Sequence, residues 1–322
     1  MGVCFSQSAV VETTTAAVKM MGVVDSNSPA YWQDGKLYIY NSAGMPLRVE
    51  GSSATRATAA RPILFDKYDR VRRWIESIWI DSDGTIYAWY HHEPDGMCAG
   101  TYMTAPQIGA AVSTDGGLSF EDLGVVITSP YAPNCDAANG YFAGGNGDFS
   151  VVLDRQKSFF YFYFGQYGGD ASKQGVATAR MAFADRKKPV GKVQKYFNGL
   201  WNQPGLDGEA TPILPVRSGW ETDHTDAFWG PSLHWNFYLQ KYVMLLNHAC
   251  CIKDWPQEGI YISYIADPAD PEKLSAPLKL TDSPNWYPQV IGTGKNETDS
   301  LAGSAPRLYI GGESKQIIRF TK

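Results

Sequence analysis

The stretch ESIWIDSDGTIYAWYHH, residues 76–92, decides the fold of this chain. It contains two short runs rich in β-branched and aromatic residues, and Asp83-Gly84 stands between them. Such runs are typical of β-strands, and Asp-Gly is a strong signal for the tight turn of a hairpin. The stretch therefore predicts two antiparallel strands joined by a short turn.

Similar hairpins recur along the chain. The matching stretches are DSNSPAYWQDGKLYIYNS at 25–42, DFSVVLDRQKSFFYFYFG at 148–165, WGPSLHWNFYLQKYVMLLN at 229–247, and a weaker pair, WYPQVIG at 286–292 with RLYIGG at 307–312. Three hairpins are followed by a strand-like run of small and β-branched residues, at 108–115, 175–185 and 259–267, and then by a fourth short stretch. The repeating unit is about four antiparallel strands, and such units repeated radially are the blades of a β-propeller.

The sequence thus predicts an all-β protein, a single five-bladed β-propeller domain over residues 1–322. The N-terminal segment 1–24 contains a β-prone run, and we expect it to close the ring by pairing with residues 316–320. The aromatic content of 13% fits this fold, because sheets that pack face to face need large, flat side chains. The pattern Ser113-x-Asp115-x-Gly117-x-x-Phe120 predicts a structural turn of propellers. A β-sandwich is the alternative fold.

Composition excludes several classes of protein. The chain of 322 residues carries 28 Lys and Arg against 33 Asp and Glu, a net charge of −5. Nucleic-acid binding normally requires a basic face, and no basic cluster is longer than residues 186–188, so we expect no nucleic-acid partner. No apolar run reaches the ~18 residues of a membrane span, so we expect no membrane partner. No feature indicates an oligomeric state.

The cysteines match no metal-site spacing. Cys98 and Cys135 lie in glycine-rich segments and are candidates for a disulfide, whereas Cys250 and Cys251 follow a strand and are expected to be buried thiols. Residues 1–6 fit the short myristoylation pattern, although an arbitrary start is favoured, and they show no signal-peptide pattern. The expected location is secreted or periplasmic if a leader has been removed, and cytoplasmic otherwise.

Three of the repeated units resemble the five-bladed glycoside hydrolases of family 43 and their relatives. The unit from Asp25 with DGKLYIY at 34–40 resembles blade one of that family, and the unit from Asp148 resembles its blade three. The resemblance implies a glycosidase with an axial active site, in which Asp25 is the general base and Asp148 adjusts the pKa of the acid. The fourth unit, GPSLH at 230–234, departs from the family pattern, because Trp229 stands where the family has its acidic Glu.

The general acid is therefore sought elsewhere. Glu76 lies in an otherwise apolar strand, where a carboxyl is costly unless it is paired or functional. His224 lies between two Asp residues that favour a protonated imidazole, and it is the second candidate; related propeller hydrolases are thought to use a His in this role. Each residue also has a purely structural explanation. Glu76 can form an ion pair with Arg72 or Arg73, and His224 can be part of an exposed loop.

Further polar and aromatic residues are candidates for contacts with substrate. They stand at the predicted strand ends or in the polar segment before the fourth unit, and they are His91, His92, Glu93, Asp226, Trp229 and Trp286. Indole rings can stack on the C–H faces of sugars, although packing between blades explains the tryptophans equally well.

The proposed partner is an oligosaccharide or polysaccharide substrate. We expect no metal-ligating residues and no required cofactor, although an acidic funnel would suit an axial calcium ion. Two alternative functions remain: a carbohydrate-binding propeller without catalysis, favoured by Trp229 in the acid position, and a polysaccharide lyase or sialidase-like enzyme, for which the turn motif at 113–120 is the sole link.

Overall fold

The structure is a computed structural model, and it describes residues 8–41, 43–66 and 71–322. Its strands form five separate sheets, which are antiparallel except for a short parallel pairing at the edge of two of them. The predicted all-β, five-bladed propeller is confirmed. The segment that matches the myristoylation pattern lies outside the described residues.

The strands of the first two blades follow the chain order, except for one short strand at the edge of the second blade. Strand β1 (Ser8–Lys19) belongs to the last blade. Blade one consists of β2 (Ala30–Gln33), β3 (Lys36–Asn41), β4 (Leu47–Ser53) and β5 (Arg56–Pro62). Blade two consists of β6 (Leu64–Phe65), β7 (Arg73–Ile80), β8 (Ile86–His92), β9 (Gln107–Ser113) and β10 (Ser119–Ile127), in the spatial order β7-β8-β9-β10-β6.

The remaining sheets complete the ring. Blade three consists of β11 (Asn146–Leu153), β12 (Phe159–Gln166), β13 (Gly175–Ala182), β14 (Val193–Phe197), β15 (Leu200–Pro204) and β16 (Leu214–Pro215). Blade four consists of β17 (Ala227–Asn236), β18 (Lys241–Ala249), β19 (Gln257–Ile265), β20 (Leu278–Thr281) and β22 (Leu301–Ala302). Blade five consists of β21 (Pro288–Ile291), β23 (Arg307–Ile310), β24 (Glu313–Thr321) and β1. Three short 3-10 helices lie at Ala171–Lys173, Phe183–Lys187 and Pro271–Lys273.

Strand β1 closes the ring. It pairs antiparallel with β24, from Ser8 opposite Thr321 to Lys19 opposite Glu313. The first and last described strands therefore share one blade, and the sheet of blade five is complete only when both are present.

The core lies between the blades. Trp89 of blade two packs against Phe160 of blade three with ring centroids 4.7 Å apart, and similar clusters fill the other junctions. Most of the aromatic side chains in these clusters come from the second strand of a hairpin, as the sequence pattern predicts. The predicted turn at 113–120 is also present, with Asp115 accepting hydrogen bonds from two backbone N–H groups and Phe120 buried.

The innermost strands are irregular near the axis. Strands β7, β11 and β17 contact one another in sequence around the ring, and each has a break in its register. The breaks fall at Glu76, at Asp148 and at Gly230-Pro231. A bulge adds one residue to a strand and redirects a side chain. Blades two and three thus each place a carboxyl at a bulge, whereas blade four has Gly-Pro there.

Candidate active site

A cavity of about 410 Å³ opens at the axis beside these bulges. This volume lies within the range of about 300–1,000 Å³ that is typical of small-molecule sites. Its walls combine charged and aromatic side chains from the inner strands and from loops: Asp25, Arg72, Trp74, His91, Glu93, Tyr102, Thr104, Gly140, Tyr141, Phe142, Asp148, Trp255, Trp286 and Tyr287.

Asp25 lies open to this cavity, five residues before β2 begins. The indole Nε1 of Trp74 donates a hydrogen bond of 3.3 Å to its Oδ2. Partial desolvation raises the pKa of Asp25 to about 6, and the nearby charge of Asp148 adds to this effect. A carboxyl with this pKa exchanges its proton near neutral pH, as a general base must.

Glu76 and His91 form a buried pair behind the cavity wall. Nδ1 of His91 lies 3.1 Å from Oε1 of Glu76, and the backbone N–H of Phe149 donates to Oε2 of Glu76 at 2.7 Å. Burial raises the pKa of Glu76. Burial alone would lower the pKa of His91, but the carboxylates of Glu76 and Glu93 hold it well above its usual value. Both partners thus favour a bound proton.

The second ring nitrogen of His91 is buried on the side of Glu93. Nε2 has no hydrogen-bond partner within 3.5 Å among the described residues, and its nearest carboxylate oxygen is Oε1 of Glu93, at 3.5 Å. Glu93 also lies 3.8 Å from the guanidinium of Arg72. Burial would raise the pKa of Glu93, but His91 and Arg72 lower it below the usual range. Glu93 is therefore ionised and polarises the imidazole from the cavity side.

Asp148 completes the acidic side of the cavity. It is buried, its φ is +43°, and the hydroxyl of Tyr167 donates a hydrogen bond to its carboxylate. Burial raises the pKa of Asp148, against the opposing charge of His91. Residues held at positive φ cluster at functional sites, where the surrounding structure supports the strain.

Aromatic rings form the opposite side of the cavity. Trp255 and Trp286 stack with centroids 5.4 Å apart, and Tyr141 meets both edge-on at 5.5 and 5.7 Å. Deeper in the wall, Phe142 stacks on Tyr167 at 4.0 Å. Of these rings, Trp286 alone was predicted from the sequence. Tyr141, Phe142 and Trp255 lie on loops, where no strand period marks a residue that faces the axis.

One disulfide joins two segments that line the cavity. Cys98 and Cys135 are bonded, and they join the segments that carry Tyr102 and Tyr141. Cys250 and Cys251 are bonded to each other, and Cys251 is exposed. The expectation of buried thiols at 250–251 is therefore wrong, because the chain leaves β18 here and turns outward into the loop that carries Trp255.

The cavity gathers Asp25, Asp148, His91, Glu93 and Trp286 from the predicted site residues. Glu76 does not line it, since its carboxyl is enclosed behind His91. Glu76 as the general acid stays a prediction; in the structure its buried carboxyl contacts the imidazole of His91 and the backbone N–H of Phe149. His92 points the other way, with Nδ1 3.1 Å from the carbonyl oxygen of Arg72. Alternation along β8 separates it from His91.

Three other candidates lie outside the cavity lining. His224 is on an exposed loop and contacts Asp223 beside it. Asp226 is engaged by Nε2 of His248 at 3.0 Å. Trp229 is 1% exposed, and its Nε1 donates to Gln257 at 3.0 Å. His224 as the proton donor, and Asp226 and Trp229 as contacts with substrate, stay predictions; in the structure Trp229 packs behind the aromatic wall.

The best metal-ligand geometry among the described residues of the site is Glu76, His91 and Asp148. One donor atom from each lies within 4.8 Å of the others. Calcium prefers six to eight oxygen ligands. Two carboxylates and an imidazole that already hydrogen-bond to one another and to Phe149 and Tyr167 suit a proton better than calcium. An axial calcium ion stays a prediction.

Comparison with solved structures identifies the architecture. An endo-arabinase from Bacteroides thetaiotaomicron superposes with a TM-score of 0.58 at 13% identity, covering 97% of this chain and 98% of that one. A thermostable family-43 glycoside hydrolase gives 0.54 at 12% identity, covering 96% and 90%. The fold is the five-bladed propeller of these glycoside hydrolases.

An exo-β-1,3-galactanase from Phanerochaete chrysosporium shares this propeller, with a TM-score of 0.55 at 10% identity; the match covers 96% of this chain and 64% of that one. No protein-family model matches the chain, and no curated protein is similar to it in sequence. Within the described residues, no helix is long and apolar enough to cross a membrane.

Proposed function

We propose that this protein is a glycoside hydrolase that cleaves its substrate in the axial cavity. The observation that carries the proposal is the grouping of Asp25, Asp148 and His91 in one cavity with an aromatic wall. Hydrolysis of a glycosidic bond needs a group that donates a proton to the leaving oxygen and a carboxylate that activates water or attacks. Asp25 and His91 can meet these two needs, and the solved structures with this fold act on arabinan and galactan.

In this proposal Asp25 is the general base and His91 is the proton donor. His91 lines the cavity, Glu76 holds Nδ1 of its ring, and Asp148 stabilises the positive imidazole through its charge. A buried carboxylate that orients an imidazole is a recurring device in enzymes. In this proposal the residues that take over the role of the family's acidic Glu lie on blades two and three. Trp229 of blade four occupies the position of that Glu.

The test is hydrolysis by the wild type and by Asp25→Asn. Aryl α-arabinofuranosides, aryl β-galactosides, arabinan and galactan form the substrate panel. We expect a loss of about 10²–10⁴-fold in kcat, because a positioned base contributes that much. Asp34→Asn is the matched control, since Asp34 lies in an exposed turn away from the cavity. Equal activity of Asp25→Asn and wild type would refute the role of Asp25.

The pH profile gives a second test of the base. The pKa of Asp25 is about 6, so its carboxyl is protonated below that pH and cannot accept a proton. We expect kcat/KM to fall about tenfold for each pH unit below 6. The pKa of Asp25 is higher in the folded protein than in the unfolded chain, so Asp25 contributes stability to the fold at pH values below its unfolded pKa. This contribution is lost as the pH rises through about 6.

A carbohydrate-binding protein without catalysis is the second candidate. Trp229 in place of the family's acid favours it, since the buried indole leaves blade four without a carboxyl in the cavity. Calorimetry with oligosaccharides, combined with no turnover on the full panel, would support binding alone. A sialidase is disfavoured, because Arg72 is the sole arginine lining the described cavity and it already pairs with Glu93 and Asp95.

The two disulfides bear on the cellular location. Disulfides persist in oxidising compartments and are rare in the cytosol. We propose that the protein works outside the cytoplasm, where glycan polymers are accessible.

A further inference from the structure

The loop between β18 and β19 begins with two bonded cysteines and carries one ring of the aromatic wall. Cys250 and Cys251 are adjacent in the chain and are joined by a disulfide. Further along the same loop, Trp255 lines the axial cavity and stacks on Trp286. The backbone N–H of Cys250 donates to the carbonyl oxygen of Pro256 at 3.1 Å, and this bond closes the loop. A change at the cysteines therefore acts close to the wall.

The backbone of this loop has an unusual conformation. Cys251 has a φ of +133°, and Asp254 and Trp255 also have positive φ, at +63° and +35°. Residues that carry a side chain rarely adopt such values, which persist only where the surroundings enforce them. A disulfide between adjacent residues closes a small ring that includes the peptide bond between them, so it restricts the backbone at Cys251 directly. Opening of that ring frees Cys251 to return to negative φ.

The position of Trp255 depends on the course of this loop. Its Nε1 donates to the carbonyl oxygen of Asn139 at 2.9 Å, and its backbone N–H donates to the carbonyl oxygen of Ile252 at 3.0 Å. The second bond lies within the loop itself, immediately after the cysteine pair. A rotation of the backbone at Cys251 therefore redirects the segment that presents the indole to Asn139 and Trp286, and the wall loosens.

The surroundings of the two sulfur atoms suit both redox states. Cys251 is exposed, so a reductant can reach its Sγ. A carboxylate oxygen of Asp226 lies within 4.8 Å of both sulfur atoms, and Nε2 of His248 holds Oδ1 of Asp226 at 3.0 Å. After reduction, the thiols can donate hydrogen bonds to this carboxylate. Its negative charge also disfavours the thiolate that would re-form the disulfide.

We propose that the Cys250–Cys251 disulfide is a site of reversible reduction that controls the aromatic wall. The reductant is a dithiol. One of its thiolates attacks Sγ of Cys251, the S–S bond breaks, and the sulfur of Cys250 leaves and takes up a proton. The second thiol of the reductant loses its proton and displaces the sulfur of Cys251, which is protonated in turn. The reductant is thus oxidised to a disulfide, and both cysteines end as thiols.

The two states belong to different compartments. Disulfides persist in oxidising compartments and are reduced in the cytosol. The wall is therefore ordered outside the cytoplasm and loose in a reducing environment, so that tight binding is limited to the location proposed above. This inference does not require catalysis, because it concerns whichever ligand the axial cavity takes.

Hydrogen exchange, followed by mass spectrometry, tests the proposal. Wild type is incubated with and without dithiothreitol, and alkylation with iodoacetamide reports the state of the pair. We expect the amides of residues 250–257 to exchange about tenfold faster or more after reduction, because local opening exposes the N–H groups of Cys250 and Trp255. Residues 193–197, which form β14 in another blade, are the internal reference and should not change.

Variants assign the effect to this pair. Cys250→Ser/Cys251→Ser cannot form the bond and should exchange as fast as the reduced wild type, with or without dithiothreitol. Cys251→Gly also lacks the bond, but glycine adopts positive φ readily, so this variant should fold as the wild type does and show no response to dithiothreitol. Cys98→Ser/Cys135→Ser is the matched control and should keep the full response at residues 250–257.

Calorimetry measures the consequence for the cavity. The probes are arabinotetraose and galactotetraose, titrated into oxidised and reduced wild type. We expect the Kd of a sugar that binds to rise about twofold to tenfold on reduction, since one aromatic contact contributes that much. A protein that binds neither sugar would contradict the proposed function, while the exchange result still decides the present proposal.

Three results would overturn the proposal. The first is equal exchange at residues 250–257 in oxidised and reduced wild type. The second is a response to dithiothreitol that disappears in Cys98→Ser/Cys135→Ser, because the other disulfide would then carry it. The third is an unchanged Kd for a bound sugar despite faster exchange, because the loop would then move without the wall.

Discussion

The two sides of the axial cavity are built in different ways. The acidic side rests on inner strands: His91 is on β8, and the bulges of β7 and β11 position Glu76 and Asp148. The aromatic side rests on loops, which carry Tyr141 and Trp255. Hydrogen bonds between blades fix the first side, whereas ring contacts and a disulfide hold the second. The proposed catalytic groups, which need exact geometry, thus lie on the acidic side. The proposed sugar-binding rings, which tolerate adjustment, lie on the aromatic side.

The largest effect is expected on the acidic side, from Asp148→Asn. Asparagine is among the residues that best tolerate positive φ, so the bulge should form as before. Loss of the charge removes a partner of the His91 imidazolium, and we expect kcat to fall by about 10²–10⁴-fold. Steady-state kinetics measure this loss, and an unchanged melting temperature is the control. A decrease of less than threefold would place the chemistry elsewhere.

The next effect concerns the support behind that side. Glu76→Leu leaves His91 and the N–H of Phe149 without their buried partner. Removal of one member of a buried pair costs about 3–5 kcal/mol, and we expect that loss in urea unfolding. Glu121→Leu, on the exposed face of β10, is the control and should change stability little. Equal unfolding midpoints for the two variants would show that Glu76 is not structurally paired.

The loop side is tested by removing its covalent link. The double variant Cys98→Ser/Cys135→Ser opens a loop whose ends are 37 residues apart. We expect a loss of about 2–4 kcal/mol in the free energy of unfolding. KM should increase more than kcat decreases, because the freed segments carry aromatic residues and no proposed catalytic group. A loss confined to kcat would contradict this division between the two sides.

The smallest effect is expected from Tyr141→Ala. Tyr141 is half-exposed and meets Trp255 and Trp286 edge-on, and such aromatic pairs contribute about 0.5–1.5 kcal/mol. We expect KM to rise about twofold to tenfold, with kcat nearly unchanged. Phe237→Ala, at an exposed turn of blade four, serves for comparison. If kcat falls as far as in Asp148→Asn, the two sides do not differ in function.

Strand-borne features could be predicted from the sequence. The hairpin repeat gave the blades, the aromatic junctions and the closing strand, because the strand period of two is visible residue by residue. Asp25 and Asp148 were predicted from the resemblance to family 43, and His91 from its place at the end of a predicted strand; the three residues line one cavity.

Features set by irregular backbone could not be predicted in this way. The bulge at Gly230-Pro231 lies beside Trp229, whose indole is in the core, and no period reveals a bulge. Trp255 and Tyr141 were missed because loops have no repeating pattern. The sequence suggested a neighbouring arginine as the ion-pair partner of Glu76. In the structure the partner is His91, which lies on the adjacent strand β8 and is brought next to Glu76 by the hairpin.

The pairing of β1 with β24 has a mechanical consequence. Ser8 lies opposite Thr321, so the two ends of the described chain leave the sheet at the same point. Hydrogen bonds in an antiparallel ladder run perpendicular to the strands. A force that pulls those ends apart therefore loads the bonds one after another, as in a zipper, and does not shear them together. Under tension the propeller should open at blade five, at low force, while the other four blades are still folded.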